Sequence, residues 1–553
     1  MSIKHIGLLG LICLQTSALW AIPNYLKKIA FQDTTKEEKA PENWFNLDVN
    51  DDKIRGVSTE KAYKFLKNKK GQTVIVAVID SGVDIEHEDL KDVVWVNEDE
   101  VAGNQKDDDK NGYVDDVHGW NFIGGADGKN VEQDSYELTR EYVRLKAKYG
   151  EATPDSKLIK KNQEEYAYYQ EVKKDFEKKR KEIEEQQRGF DQFYTMYIQS
   201  VGLLKKYLKT DELTFDKVNA VEPTEEEIKR SQGIYNYAYM MGIENEEVMK
   251  ETKDYFSNTL QYGYNPDFDP RDIVGDDYSD LEERYYGNND VTGPDATHGT
   301  HVAGIIAANR QNEIGMLGVA NNVRIMSIRA VPDGDERDKD IANAIRYAVD
   351  NGAKIINMSF GKSYSPHKAL VDEAVRYAES KGVLLVHAAG NDGKDLERNN
   401  NFPNKNYREG KAASAANWLE IGASSWKADR SEFTAEFSNY GSTKVDVFAP
   451  GVDLYATVPD QKYKALSGTS MAAPTTSGVA ALVMSYYPDL SAKQVKEILM
   501  KSSVKYRETK VNLPGSDNKE MVPFGELSVS GGIVNAFEAV KMADAMSQKI
   551  DKR

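Results

Sequence analysis

Cysteine is almost missing from this sequence: among 553 residues there is one, Cys13. A disulfide framework, a thiolate metal site and a cysteine nucleophile in the body of the chain are thereby excluded. Positive charge is also in deficit. Lysine and arginine number 72 against 90 aspartates and glutamates, a net charge of −18. Such a surface repels phosphate backbones, so no nucleic-acid partner is expected. Long apolar runs are lacking as well. The apolar stretch Ile6 to Leu14 is shorter than the ~20 residues that cross a bilayer. It follows Lys4 and His5 and precedes the small residues Ser17, Ala18 and Ala21, the layout of an export signal over 1–21. The expectation is a secreted or periplasmic protein with no transmembrane anchor after signal cleavage.

Proline is missing over another long span. Between Pro154 and Pro223 the chain is dense in Lys, Glu and Tyr and carries only two glycines. Ile183, Phe190, Tyr197 and Leu204 recur every seven residues, with Tyr194, Val201 and Leu208 in a second row offset by four. That spacing predicts a long helix with a coiled-coil-like seam. Thr224 and Glu227 are spaced as a capping box opening a second helix. Residues 131–262 are read as an inserted helical hairpin or small bundle.

What surrounds the insertion has another character. Residues 22–72 form a polar extension. From residue 73 apolar, β-branched runs begin: 74–79, then 323–328, 355–360, 383–389 and 445–449. Helical patterns at 341–349 and 370–377 separate several of them, and Ser491 with Gln494 marks another helix start. Strands alternating with helices predict an α/β fold, a mainly parallel sheet with helices on both faces, made from 73–130 and 263–545.

Three short motifs carry the chemistry. Asp80-Ser81-Gly82 follows the first run. His298-Gly299-Thr300-His301 and Gly468-Thr469-Ser470-Met471 come later. A serine hydroxyl becomes a nucleophile when an imidazole takes its proton, and the imidazole needs a buried carboxylate to fix its tautomer. Ser470 opens a helix, where free N–H groups favour developing negative charge. Gly468 is expected to allow a sharp turn before it. Asn391, ending the strand Ala388-Ala389-Gly390, supplies an amide that can donate to an oxyanion beside the Ser470 N–H. Asp107-Asp108-Asp109-Lys110-Asn111-Gly112 places oxygen ligands at alternate positions, as in a calcium loop, with Asp115 or Asp116 to close it.

In these motifs the sequence resembles the subtilisin-like serine peptidases, the subtilases, over about 73–130 and 263–545. The resemblance implies a serine endopeptidase acting on protein or peptide substrates. Asp80, His298 and Ser470 take the triad roles, Asn391 the oxyanion amide, and His301 the part of a packing or hydrogen-bonded neighbour. It implies that Ser359-Phe360-Gly361 pairs with substrate backbone beside the specificity pocket, that Ala389 and Gly390 also bind substrate, and that Phe360 and the Asn399–Pro403 stretch border the pocket. It also implies structural Ca²⁺: an acidic loop at Asp107, Asp109, Asn111 and Asp116, and a second site from Asp89 and Asn312 with the carbonyls of Arg310, Ile314 and Met316. The chain departs from the family in separating Asp80 from His298 by 218 positions. The insertion between them is read as a lid or exosite, or else as a stabilising appendage or an arm for a protein partner. The rival reading is a catalytically silent scaffold that binds through this arm.

Overall fold

The computed structural model describes residues 39–550 apart from 154, 244–245, 411, 428 and 517. The export signal expected over 1–21, and Cys13, lie outside the described residues.

The β-branched runs become the strands of one sheet. Val74–Asp80 (β1), Gly119–Asn121 (β2), Val323–Arg329 (β3), Ile355–Met358 (β4), Leu384–Ala388 (β5), Trp418–Ser424 (β6) and Val447–Pro450 (β7) follow one another. Leu454–Val458 (β8) and Lys462–Leu466 (β9) form a hairpin. Val504–Lys505 (β10), Lys510–Asn512 (β11), Met521–Pro523 (β12) and Gly532–Ile533 (β13) complete the set. The nine-stranded sheet runs β10-β13-β7-β6-β5-β4-β1-β3-β2, and only the β10–β13 pair is antiparallel. Near-continuous burial of β1, β5 and β6 reflects helices on both faces.

Chain order reverses at β1, which lies between β3 and β4. Parallel α/β sheets open a crevice at such a switch point, at the carboxyl ends of the strands. Register carries Ile79 opposite Met358 and Met358 opposite His387. Asp80, Ser359 and Ala388 therefore stand side by side at that end of the sheet.

Seven helices flank the sheet: Thr59–Leu66 (α1), Thr297–Ala307 (α2), Asp338–Asp350 (α3), Lys368–Ser380 (α4), Thr469–Tyr486 (α5), Ala492–Ser502 (α6) and Ala536–Ile550 (α7). One core joins α2, α5, α6 and α7 to one face of the sheet. A second joins α3 and α4 to the other. The capping box expected at Ser491 and Gln494 is present.

Two compact units partition the chain. One is Ala40–Glu137 with the chain from Asp269 onward; the other is Leu138–Phe268. The sequence placed the corresponding breaks at 72, 130 and 262. Residues of the polar extension join the sheet's core: Trp44 and Phe45 are fully buried, and the Trp44 indole donates to the Val452 carbonyl at 3.1 Å.

The second unit is helical. Its helix Gln163–Leu208 is 46 residues long and buries Tyr169, Val172 and Phe176, then Phe190, Phe193, Tyr197 and Leu204. The second group packs with Ile228, Tyr235 and Ala238 of Glu226–Met240 and with Met249 and Phe256 of Glu246–Asn258. The stretch between the groups is polar and carries i,i+4 pairs such as Arg180–Glu184. The Thr224 and Glu227 capping box does not form. The helix starts at Glu226 with Glu225 at its cap, so the pair is one residue out of register.

Candidate active site

Asp80 ends β1 and is 2% exposed. Its Oδ1 accepts from the Ser81 N–H at 2.8 Å and from His298 Nδ1 at 2.7 Å. His298 is the second residue of α2, which comes close because Gly299 has no side chain; a Cβ there would strike the Gly82 carbonyl. Burial would lower the His298 pKa, but the Asp80 charge and hydrogen bond outweigh it and hold the imidazole above the usual histidine value. The bond to Nδ1 leaves Nε2 as the proton acceptor. Asp80 Oδ2 is buried without a partner among the described residues.

His301, one turn on, does something else. Its Nε2 lies 3.0 Å from the carbonyls of Leu454 and Lys464, and burial pushes its pKa down to about 3. It is a neutral pin between α2 and the β8–β9 hairpin.

Ser470 is the second residue of α5. Its hydroxyl donates to the Ser359 carbonyl at 3.0 Å, and the Ser359 hydroxyl donates to the Ser470 carbonyl at 2.9 Å. Ser359 is held by Asn357 Nδ2 at 2.9 Å, and Asn357 by the Ser477 hydroxyl at 2.8 Å. This chain of contacts ties β4 to the helix that Ser470 opens.

Asn391 follows Gly390 at the end of β5. Its Oδ1 accepts from the Thr469 N–H at 2.8 Å and the Thr469 hydroxyl at 2.9 Å. A backbone N–H only donates, so the amide is locked with its oxygen on Thr469 and its NH₂ turned outward. Gly468 stands at φ 167°, an extended backbone rather than the sharp turn expected. Its missing side chain matters for space: a Cβ would lie 3.5 Å from both Asn391 Nδ2 and the Ser470 N, between the two donors. Met471 Sδ is 3.6 Å from the same point. Asn439 braces this wall, donating to the Ala389 carbonyl at 2.8 Å and accepting from the Lys394 N–H at 2.8 Å.

Between the walls Ser359–Gly361 and Ala388–Gly390 stands Asn401. Its Nδ2 donates to the carbonyls of Ala388 and Ala389 at 3.1 Å each. Its Oδ1 occupies the space that a Cβ on Gly361 would fill. Phe360 turns into the α3–α4 core.

The acidic loop brings Asp109 and Asp116 together with Glu100, which sequence reasoning missed; their carboxylate oxygens lie within 4.8 Å of one another. Asn111 Nδ2 bridges Asp109 and Asp116 at 3.0 Å each, and Asn97 Nδ2 does so at 3.1 Å. Burial pushes the Asp116 pKa up to about 6 against the hydrogen bonds from Tyr347, Asn111 and Asn97. Asp107 instead caps the loop, accepting from the N–H groups of Asn111 and Gly112. Asp89 is buried, with Asn312 Nδ2 on one oxygen at 2.8 Å and the Met316 N–H on the other at 3.0 Å.

Comparison with known proteins matches this arrangement. A thermophilic serine proteinase of Bacillus sp. (strain AK1) is 42% identical over 221 residues, covering 40% of this chain and 49% of the relative. Subtilisin DY of Bacillus licheniformis is 38% identical over 36% of this chain and 68% of its own length. Thermitase of Thermoactinomyces vulgaris is 37% identical over 38% of this chain and 72% of its own. The chain thus spans about half the length of the first of these relatives. The subtilase family model matches residues 71–520. With an Asp–His pair at a sheet switch point, a serine opening a helix, and a match across most of its length, this chain belongs to the subtilase family.

Proposed function

We propose that the protein is an exported serine endopeptidase that cleaves peptide bonds through an acyl-enzyme on Ser470. One observation carries the reading: Thr469 turns the Asn391 amide so that Nδ2 and the Ser470 N–H flank one small space beside the nucleophile. A peptide seated on Ser359 would offer its N–H to the Ser359 carbonyl and release the Ser470 hydroxyl toward His298. His298 takes the proton, with the imidazolium stabilised by Asp80. The carbonyl oxygen gains negative charge between the two donors, worth about 3 kcal/mol for each one lost. His298 then returns the proton to the leaving amine, and water repeats the sequence on the ester.

Structural calcium belongs to the same reading. Glu100 is 9% exposed and its Oε2 has no partner among the described residues, a donor set that fits a hard cation. Glu100, Asp109 and Asp116, with the Asn111 amide turned oxygen-first, would hold the ion. Bound there it would offset two of the three carboxylate charges and staple the loop. A second ion at Asp89 would likewise need the Asn312 amide turned oxygen-first, since Asn312 Nδ2 and the Met316 N–H meet the two Asp89 oxygens. Among the described residues no helix is long and apolar enough to cross a membrane.

The test is casein hydrolysis by wild type and Ser470→Ala, each with millimolar calcium and with chelator. Cleavage by calcium-loaded wild type alone supports the reading. Folded wild type that neither cleaves nor reacts with a fluorophosphonate supports the silent scaffold instead. Export is checked by the N-terminal residue of protein recovered outside the cytoplasm.

A further inference from the structure

Hydrogen-bonding groups along an extended strand point alternately to its two edges. Lys362 spends its pair on Phe402: its N–H donates to the Phe402 carbonyl at 2.9 Å and its carbonyl accepts from the Phe402 N–H at 2.8 Å. Ser359 and Gly361 therefore face the other edge, the one that bears Ser470. A peptide pairing antiparallel there, with its P1 residue at Ser359, places P2 beside Phe360, P3 at Gly361 and P4 beside Lys362. Directly opposed residues project their side chains to the same face of a sheet. The P4 side chain would thus enter the ground on which the Lys362 side chain lies.

That ground is filled. Lys362 Nζ lies 2.7 Å from Glu137 Oε2, 2.8 Å from Asp338 Oδ1 and 2.7 Å from the Glu336 carbonyl. The three charged side chains are 1%, 3% and 3% exposed. Their supports are also fixed. The Glu137 N–H donates to Asp335 at 2.8 Å, and the Asp134 N–H to the Asp333 carbonyl at 3.0 Å. Asp134 accepts from Arg337 Nε at 2.7 Å. Breaking a buried, paired charge is strongly unfavourable, so a substrate side chain does not displace this knot.

Resting on the peptidase reading above, we propose that the Lys362–Glu137–Asp338 knot closes the P4 subsite, so that Lys362 and Glu137 limit substrate recognition to P1–P3. The substrate class is a short unprimed segment with no apolar anchor at P4.

The test compares N-acetylated tripeptide and tetrapeptide p-nitroanilides that share P1–P3, the tetrapeptide carrying Phe at P4. The wild-type enzyme is expected to give the same kcat/KM for both within about twofold. In the Lys362→Ala, Glu137→Ala double variant the tetrapeptide is expected to gain roughly tenfold over the tripeptide, the effect of burying a Phe ring. A wild-type preference of tenfold or more for Phe at P4 overturns the inference, whether or not the variant folds. Wild type that cleaves neither peptide and takes no fluorophosphonate overturns the peptidase reading and this inference with it. Labelling without cleavage of either peptide, while casein is cut, also counts against it, because recognition would then need more than P1–P3.

Discussion

Thr469 stands next to the nucleophile and touches no substrate, yet its removal is expected to lower turnover in a diagnostic way. Thr469→Val keeps the shape and deletes the hydroxyl that donates to Asn391 Oδ1 and accepts from the Gly390 N–H at 3.0 Å. Two effects separate. The half-buried Gly390 N–H loses its acceptor, a cost of about 1 kcal/mol in stability. Asn391 keeps one of two anchors, and the lost hydrogen bond of about 1 kcal/mol lowers kcat roughly fivefold. Asn391→Ala deletes the donor itself, about 3 kcal/mol or roughly 150-fold in kcat. KM is unchanged in both, because the interaction is made in the transition state. The double variant is decisive. With the amide gone Thr469 has nothing to orient, so Asn391→Ala with Thr469→Val is expected to turn over within about twofold of Asn391→Ala alone. Single-turnover rates on a chromogenic peptide, with Tm followed in parallel, measure it. A further full fivefold loss in the double variant would show that Thr469 acts through something other than Asn391.

The acid limb of kcat/KM against pH is expected above about 6.5, because His298 must be neutral to act and Asp80 holds its pKa up. Asp80→Asn should move that limb downward and lower kcat about 10⁴-fold; an unmoved limb refutes the pairing. By linkage the same pair favours the fold below about pH 6.5, and this contribution fades as pH rises through the higher folded value. Chelation is expected to lower Tm in wild type, while Glu100→Gln lowers Tm without chelator and blunts the calcium response; equal calcium responses in the two proteins refute the site. Asn401→Gly is expected to shift P1 preference from small residues toward Leu and Phe in a p-nitroanilide series, and an unaltered series refutes its place in the slot. Peroxide is expected to depress turnover in step with Met471 sulfoxide measured by mass spectrometry, since a polar oxygen then lies beside the two donors; full activity at complete oxidation refutes it.

Much of this was legible in one dimension because the relevant signals are local. Asp80, His298 and Ser470 each sit in a short stretch where the chain must leave a strand or enter a helix, and the strands carry Val- and Ile-rich runs. Asn391 was legible from Gly390 before it and the strand before that. What decides its orientation was not, because Thr469 comes from an element 78 residues away. Gly468 was read for backbone freedom, whereas its hydrogen keeps the space between two donors open. Glu100 escaped notice because it precedes the acidic run and reaches back to it through folding. Lys362 was not singled out, because its partners come from residues 225 and 24 positions away and only the fold collects them. The strand Trp418–Ser424 also went unread, since Glu420 interrupts its apolar pattern. Its carboxylate is spent inside on His387 at 2.9 Å and the Trp418 indole at 2.8 Å.

The burial of Trp44 and Phe45 bears on where this chain tolerates a cut. Shortening from the N-terminal side has a boundary beyond which the core itself is lost. Here that boundary lies upstream of residue 44, because both rings sit in the same core as β1 and α2. Losing either ring would remove about 3–5 kcal/mol, a large share of an ordinary fold's stability. The Trp44 indole is moreover fastened to the Val452 carbonyl, on the strand-to-hairpin connection that leads to the nucleophile. A maturation cut that spares activity must therefore fall before this pair. A cut beyond it takes away part of the core on which β1 and α2 rest.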